Sequence, residues 1–529
     1  MVLLLATFVV AAAAPTEGPE GRLSGALAEA FRDTHDLPRL VSRQPRFTTG
    51  AQVVIEVDDS FDPHALGAVE GVIEATVPGL VQLRLPVGQL ARLAALAGVR
   101  HVREPAFASP TSTTSEGHAT VGTPAWNDAG WTGEGVRVAV VDVGFQGYAA
   151  LTGSELPIEV TTDLERGAPD TSAHGVAVAE VLTDAAPGVA LSLHSFATDV
   201  EFTEVLLSLL DTDVQVVNAS IGFDNVWSAD GSSGPSRAVD ALAEAGVIVT
   251  VAAGNEALRY RTGELRAVGN GQVLLAGHAA TLLRAPGGRA RASLRWDEPF
   301  DAAALDLDLV VQNASDGSEC GNSSAPQDGD DPPREAVDVS GCEETVVALI
   351  RAAPGIDPAR ITGWLYSPGG IEPVSVTGGL SLSLPGDAAG AFTVGAWLPE
   401  DGELAAYSSR GPTDDGRIKP DVVAPSDVST VSWGPEAFEG SSAATPHAAA
   451  LAALWVEAEG GAGSPEGFRS WAHGRASEGG SPGADPAWGW GALAAGEAPD
   501  PSCACGAGGN AAPPALAWLA AALYRRRSR

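Results

Sequence analysis

The sequence predicts an α/β protein, in which a doubly wound parallel-sheet domain follows a ferredoxin-like segment and is interrupted by an antiparallel β-sandwich. Three observations support this prediction. Near-continuous apolar strands alternate with helical patterns after residue 135. A strand–helix–strand–strand–helix–strand order comes before them. Helical patterns then stop between residues 258 and 383, where short strands are separated by turn signals.

Length and charge limit the classes of protein that fit. The chain has 529 residues, of which 45% are hydrophobic, so several buried cores are expected. Acidic residues exceed basic ones by 67 − 31 = 36. A field of this sign repels nucleic acid and anionic membrane surfaces, and neither is expected as a partner.

The first 14 residues, MVLLLATFVVAAAA, are apolar and end in small residues. This pattern is typical of a secretory signal peptide that is cut near Ala13 or Ala14. A buried N-terminal strand or helix is the alternative. Residues 15–46 are polar and contain several prolines.

The ferredoxin-like segment occupies about residues 51–105. AQVVIEV, VIEATV, LVQLRLP and VRHVRE are predicted strands, and FDPHALGAVEG and VGQLARLAALAG are predicted helices. The polar stretch ASPTSTTSEGHATVG follows and is predicted to be an exposed linker.

The α/β domain is predicted in two parts, residues 118–257 and 384–495. VRVAVVDVG, VALSLHSF, VQVVNASIG and VIVTVAAGN are predicted parallel strands of the first part. The second part begins with the strand AFTVGAWLP and contains a long apolar helix after Ser442.

The interval 258–383 is the predicted sandwich. Its predicted strands are QVLLAG, ATLLRA, ARASLRWD, LDLDLVVQNA, TVVALIRAA and ITGWLYS. Cys320 and Cys342 flank a polar loop within it and are predicted to form a disulfide, which is expected in an exported protein.

Three segments carry groups suited to catalysis. Asp142 ends a buried strand, at the edge where doubly wound sheets bind ligands. His174 opens a helix, and Gly175 leaves space beside it. Ser442 begins the long apolar helix, whose positive end favours a developing oxyanion. Taken singly, each has an ordinary structural alternative, such as a helix cap or a hydrogen-bonded core histidine.

These three residue types form a functional combination. A serine hydroxyl is a poor nucleophile until a base removes its proton, and a neutral histidine suits that task. A buried carboxylate fixes the histidine tautomer and stabilises the imidazolium. Asp142, His174 and Ser442 occur in the chain order found in subtilisin.

Five ordered motifs resemble those of the subtilisin-like serine proteases, the subtilases: VAVVDVG, HGVAVAE, VVNASIG, AAGN and GSSAATPH. YSSRGPTDDGRIKPDVVAP is also similar to that family's sequences. The resemblance implies that Asn255 holds an oxyanion and that Ser220 and Gly222 line the substrate cleft. It also implies that residues 15–110 are an inhibitory propeptide that is cut within Ala108–Gly122.

The chain departs from the family pattern at several positions. Val143 and Val176 stand where hydroxyl residues are usual, Ser441 replaces a threonine, and Glu180 replaces a glycine. None of these changes removes a group of the expected triad. Glu180 is expected to raise the pKa of His174 if the two side chains are close.

No cofactor is expected for catalysis, but a structural Ca²⁺ is one interpretation of two acidic groups. Asp306 and Asp308 lie on one strand face, and three further aspartates lie in a nearby loop: Asp328, Asp330 and Asp331. Clustered oxygen ligands suit Ca²⁺. Solvated surface charge is the other interpretation.

The C-terminal residues 500–529 combine SCACGAGG, a short apolar run and RRRSR. They resemble the surface-sorting tails of myxobacteria, with the arginines on the cytoplasmic side. An unstructured amphiphilic tail is the alternative. Together with the signal peptide, this pattern predicts a bacterial protein that is secreted or held at the cell surface.

The sequence therefore predicts a secreted serine endopeptidase made as a zymogen, with protein or peptide substrates and its own propeptide as inhibitor. Two alternatives are considered. One is a catalytically silent protein of the same fold that binds peptides. The other is a serine-carboxyl peptidase, which would use a glutamate base and an acidic residue at the oxyanion position.

Overall fold

The computed structural model describes residues 51–58, 60–77, 80–103, 114–300, 302–324, 327, 329, 332–352, 361–434 and 437–500. The predicted signal peptide and sorting tail lie outside these residues. The chain divides into two compact units, Met1–Pro110 and Thr111–Arg529. Each unit has its own hydrophobic core.

The first unit contains a four-stranded antiparallel sheet with the strand order β2-β3-β1-β4. Its elements are β1 (Ala51–Val57), β2 (Val72–Val77), β3 (Leu80–Leu85), α1 (Leu90–Ala94) and β4 (Val99–Arg103). Where a first helix was predicted, only a 3₁₀ segment forms, Pro63–Ala68. Pro63 and Gly67 both lie within it, and neither favours a longer helix.

The second unit is built on an eight-stranded sheet, which confirms the predicted α/β class. The main strand order is β6-β7-β5-β8-β9-β19-β20, and β21 also pairs with β19. The bounds are β5 (Arg137–Asp142), β6 (Val160–Asp163), β7 (Ala190–Ser195), β8 (Val216–Ala219), β9 (Ile248–Ala252), β19 (Ala391–Leu398), β20 (Glu403–Leu404) and β21 (Val422–Pro425). The two-residue β20 pairs antiparallel with β19, so the sheet is mixed rather than wholly parallel.

Helices cover both faces of this sheet. They are α2 (Glu116–Val121), α3 (Pro124–Asp128), α4 (Tyr148–Leu151), α5 (His174–Ala185), α6 (Asp199–Leu209), α7 (Gly234–Glu244), α8 (Ser441–Ala458) and α9 (Pro465–His473). The central helix α8 is almost wholly buried, because it packs against α5 and against β8, β9, β19 and β21. Its many alanines permit this close approach to the sheet on one side and to a helix on the other.

The inserted segment is antiparallel, as predicted, but its strands form one continuous path. Strand β10 links two halves, because Tyr260–Glu264 pairs with β18 while Leu265–Ala267 pairs with β11. The strands are β10 (Tyr260–Ala267), β11 (Gln272–Leu275), β12 (Thr281–Arg284), β13 (Arg289–Trp296), β14 (Leu307–Asn313), β15 (Glu319–Ser323), β16 (Arg334–Ser340), β17 (Thr345–Ala352) and β18 (Thr362–Tyr366). A separate apolar core fills the space between the two halves.

The insert returns to the point where it leaves the α/β domain. The Ser383 N–H donates to the Ala253 carbonyl at 2.9 Å, only a few residues from where β10 begins. The predicted disulfide between Cys320 and Cys342 is confirmed, with their Cα atoms 5.6 Å apart.

Polar contacts attach the insert firmly to the α/β domain. Arg295 forms a buried ion pair with Asp414 at 2.8 Å and stacks over the Trp364 ring. The Asn225 amide donates to the Ser293 carbonyl at 3.0 Å. Within the described ranges, no helix is both long enough and apolar enough to cross a bilayer.

Candidate functional site

Asp142 and His174 form a direct pair. Asp142 is the last residue of β5 and is fully buried, while His174 is the first residue of α5. Each carboxylate oxygen of Asp142 lies 2.9 Å from His174 Nδ1. A Cβ at Gly175 would lie 2.7 Å from the Asp142 Cβ, so the glycine allows α5 to begin this close to β5. The arrangement leaves Nε2 as the nitrogen that can exchange a proton with a substrate.

The surroundings of His174 set its basicity. Burial alone would lower the pKa of His174, but the Asp142 charge and hydrogen bond raise it above the ordinary value. Two aromatic rings meet the imidazole edge-on: Trp433 at 6.1 Å and Phe438 at 5.4 Å between ring centroids. Phe438 is buried and Trp433 is 39% exposed, so the two rings shield the imidazole from part of the solvent and strengthen its interaction with the Asp142 charge.

Glu180 does not take the role expected from the sequence. The pKa of His174 responds to burial and to Asp142, whereas Glu180 binds the loop that follows β21. The Glu180 carboxylate accepts from the Val431 N–H at 2.6 Å and from the Ser432 N–H at 3.0 Å. Trp433 and Phe438 together form an aromatic wall around His174. Trp433 is the next residue of the loop that Glu180 binds, so Glu180 supports this wall.

Ser442 lies in the first turn of α8 and is fixed to the end of β8. Its hydroxyl donates to the Ser220 carbonyl, and the Ser220 hydroxyl donates to the Ser442 carbonyl, both at 3.0 Å. The Asn218 amide also donates to the Ser220 hydroxyl at 3.0 Å. The structure thus joins Ser220, a predicted cleft residue, directly to Ser442.

Asn255 follows β9 and is oriented by Ser441, a contact that sequence reasoning missed. The Ser441 N–H and hydroxyl both donate to Asn255 Oδ1, at 2.8 and 3.0 Å. Since two donors occupy Oδ1, Nδ2 is the free donor end of the amide. Gly440 has φ 106°, and a Cβ there would lie 2.8 Å from Asn255 Nδ2, so only glycine leaves room for the amide.

Gly222 is exposed and lies against Ser383, the residue at which the chain returns from the insert. Side-chain atoms at Gly222 or Gly254 would overlap Ser383. Glycine at both positions therefore leaves room for the buried Ser383 side chain, which packs directly against both backbones beside Asn255. The sequence identified Gly222 as a cleft residue but gave no sign of Ser383, because 161 positions separate them (383 − 222).

Two other histidines lie in structural positions. The His447 ring hydrogen-bonds the Ala443 carbonyl through Nδ1, and burial lowers the pKa of His447 to about 4. His194 contacts the Ser192 hydroxyl at 3.0 Å on β7.

The described residues contain no group of three or more His, Cys, Asp or Glu side chains placed to hold a metal ion. Asp306 accepts from the Gln327 N–H, and its charge adds to burial in raising the pKa of Asp308. The three loop aspartates of the predicted calcium cluster lie outside the described residues: Asp328, Asp330 and Asp331.

Comparison with known proteins finds a family match in the second part of the chain. Residues 300–491 match the Subtilase family, Peptidase_S8, a segment that contains Ser442 but neither Asp142 nor His174. The fold is similar to that of the CspB protease of Clostridium perfringens, with a TM-score of 0.53 and 17% sequence identity. That similarity covers 70% of this chain and 94% of the other.

Proposed function

We propose that the chain is a secreted serine endopeptidase of the Subtilase family, whose model matches residues 300–491, and that it works through an acyl-enzyme on Ser442. The observation that carries this proposal is the pair formed by the buried Asp142 and the half-buried His174, found together with a serine at the head of a helix and an oriented amide. The family match does not include Asp142 or His174. Their pairing in the structure therefore supports the proposal independently of that match.

In the proposed mechanism, Ser442 Oγ attacks the carbonyl carbon of the scissile bond. His174 Nε2 takes the hydroxyl proton and then delivers it to the leaving amine, while Asp142 holds Nδ1–H and stabilises the imidazolium. Water repeats these steps to release the acyl group. The Ser442 hydroxyl bonds to the Ser220 carbonyl in the free enzyme, so it must rotate towards His174 when substrate binds.

The oxyanion that forms in this attack would accept hydrogen bonds from Asn255 Nδ2 and from the Ser442 N–H. Ser441 supports this role, since it fixes the amide oxygen on the opposite side. Loss of such a donor lowers kcat by about 10²–10³, a range carried over from a subtilisin, an enzyme of this same family.

Ser220 and Gly222 would bind the substrate backbone. An extended peptide can pair with this segment as an added strand, which gives affinity with little demand on sequence. The exposed Gly222 leaves main-chain groups open to such a partner.

We propose that the chain is exported and matured by removal of residues up to the linker. Ser115 is buried, and its N–H donates to Asp184 at 2.7 Å, so residues from 115 onward form part of the second unit. Within the predicted window, the cut is therefore expected between 108 and 114. The signal peptide, the propeptide role of residues 15–110, the sorting tail and cell-surface attachment all remain predictions, as does structural Ca²⁺. The catalytic steps use only groups of this chain.

A fluorophosphonate probe tests the proposal, because it reacts only with an activated serine. We expect the mature enzyme to be labelled and to hydrolyse casein, and both properties to vanish in Ser442→Ala. Protein that folds but remains unlabelled would favour the catalytically silent alternative. His174→Ala with near-normal hydrolysis would exclude the assigned base.

The pH profile separates this mechanism from that of a serine-carboxyl peptidase. The base must be neutral, and Asp142 raises the pKa of His174, so kcat/KM should increase with pH through a midpoint above 6.5. An acidic optimum would support a glutamate base instead.

A further inference from the structure

A cavity of about 500 Å³ lies between the insert and the α/β domain. The segment 257–259, where the chain enters the insert, forms one wall, and segments 369–371 and 376–378 of the insert form another. Ala406 and Arg410 line the cavity from the α/β domain. Among the described residues that line it, none belongs to the proposed catalytic set. The cavity is therefore a separate site, and its volume is typical of sites for small ligands.

The charged side chains of this lining are all basic. Arg259, Arg284 and Arg410 line the cavity, and its described lining contains no Asp or Glu. The whole chain has a net charge of −36, so a cavity with only positive side chains contrasts with the rest of the protein. An anion that most of the protein repels would be attracted to this cavity.

Two of the three arginines already have acidic partners. Arg259 donates to the two Glu256 oxygens at 3.0 and 3.1 Å, and Arg284 donates to Glu372 at 2.9 Å. Arg410 is half-buried, and its side chain forms no ion pair or hydrogen bond with a described residue. Its Nε is a buried nitrogen without an acceptor among those residues. A buried donor without an acceptor is costly, and a ligand could supply the missing partner.

The negative charge around this cavity lies beside Arg259 and not beside Arg410. Asp224 and Glu256 both interact electrostatically with Arg259, and neither carboxylate lines the cavity. The uncompensated positive charge of the lining is therefore that of Arg410.

Much of the remaining lining is apolar, with side chains from Leu258, Ile371, Pro373 and Val376. We propose that the cavity binds a carboxylate carried on an apolar body, with the carboxylate on Arg410 and the apolar part against these four side chains. The Arg410 Nε would then gain an acceptor, because a planar guanidinium can donate two parallel hydrogen bonds to a carboxylate. Such a group belongs either to the last residue of a peptide or to a small hydrophobic acid.

The same features disfavour other ligands. One uncompensated positive charge balances a single carboxylate, whereas inorganic phosphate carries more charge and would lose its hydration against apolar walls. A cation would meet three guanidinium groups. An uncharged apolar ligand would leave the Arg410 Nε without an acceptor.

Isothermal titration of the full-length Ser442→Ala protein tests the proposal, because this variant cannot digest itself or the probes. The probes are two acids, phenylbutyrate and an acetylated Ala-Ala-Leu tripeptide with a free C-terminus, together with the uncharged amide of each and inorganic phosphate. We expect at least one acid to bind with a Kd at least tenfold below those of its amide and of phosphate. The acid that binds more tightly identifies the source of the carboxylate, a small free acid or the end of a peptide.

Variants then locate the binding. Arg410→Gln should weaken binding of the acid at least tenfold and leave that of the amide unchanged. Arg266→Gln, at an exposed position of β10 outside the lining, changes the net charge equally and should have no effect. Ala406→Phe adds a ring at an exposed position of the lining and should weaken acid and amide alike. Since the Arg410 side chain has no hydrogen bond to a described residue, Arg410→Gln should keep the urea midpoint of its parent.

Several results would overturn the inference. Acids that do not bind, that bind no better than their amides, or that keep their affinity in Arg410→Gln each contradict it. Phosphate that binds as tightly as both acids would show that the apolar walls contribute nothing, and this also contradicts it. If Arg410→Gln does not fold, the comparison of acid with amide and the Ala406→Phe variant still decide. All the proteins titrated lack the nucleophile, so these results are independent of the proposed endopeptidase activity.

Discussion

Glu180 offers a sharp test of how the aromatic wall around His174 is held. The residue lies on α5, six positions after the histidine, and is buried. Its two oxygens hold consecutive N–H groups, those of Val431 and Ser432, just before Trp433. Glu180→Ala would leave both N–H groups without their acceptor and free this part of the loop.

The expected loss can be worked from these two bonds. A hydrogen bond to a charged group contributes about 1.5–3 kcal/mol, so two contribute about 3–6 kcal/mol. Burial raises the pKa of Glu180 and so offsets part of the stabilisation from these bonds. The hydrogen bonds from Val431 and Ser432 lower the same pKa. A net loss of about 2–4 kcal/mol remains for Glu180→Ala. Glu180→Gln keeps one acceptor oxygen and should lose roughly half as much.

The assay has two parts. Urea unfolding in a Ser442→Ala background, where self-digestion cannot occur, measures stability. In the active enzyme, kcat/KM should fall about tenfold for Glu180→Ala as Trp433 moves away from His174, and the acid limb of the pH profile should shift. Glu116 provides a matched control, because it binds the same loop only at Ser429 and is exposed, so Glu116→Gln should cost less. Wild-type unfolding and an unshifted pH profile in Glu180→Ala would refute the reasoning.

Three further predictions concern the second unit. Arg295→Ala should lower the free energy of unfolding by about 3–5 kcal/mol, because it leaves the Asp414 carboxylate without its cationic partner. The double variant Arg295→Met with Asp414→Leu should recover most of that loss. Equal stability of the single and double variants would contradict this prediction. Asp184 has its pKa raised to about 7, mainly by burial, so its proton is held in the folded state and stability should fall as the pH rises from about 4 to 7. Asp184→Asn should flatten that decline by at most about 4 kcal/mol at pH 8, as urea midpoints at several pH values will show. Cys320→Ser with Cys342→Ser should lower stability by about 3 kcal/mol for a 22-residue loop, and dithiothreitol should lower the wild-type midpoint but not that of the variant.

The elements that were predictable from sequence are those with local patterns. Strand β5 and helix α8 are apolar along their lengths, so their types and their places in the core could be inferred. Strand β15 was not predicted, because Glu319–Ser323 has no apolar alternation and is stabilised by its partner β14 and by the disulfide. Tertiary pairing decides such a strand, not intrinsic preference.

The candidate site shows the same contrast between features with local motifs and features that depend on tertiary contacts. Asp142, His174 and Ser442 each lie in a short motif whose chemistry can be read locally. The contacts that orient Asn255 and the loop before Trp433 join distant positions: Ser441 with Asn255, and Glu180 with Val431. Sequence analysis noted Ser441 and Glu180 as unusual, but only the fold shows what each side chain touches.

The position of the insert also has a consequence for synthesis on the ribosome. Strand β19 pairs with β9 through Ala391 and Val249, 142 residues apart (391 − 249). At roughly 5–20 residues per second, that interval takes roughly 7–28 seconds to translate. During this time β9 is an open edge, while the strands of the insert, which pair among themselves, are already emerging. The strands of the insert are therefore all synthesised before β19, so the sheet against which the nucleophile's helix α8 packs can close only after the insert has been made.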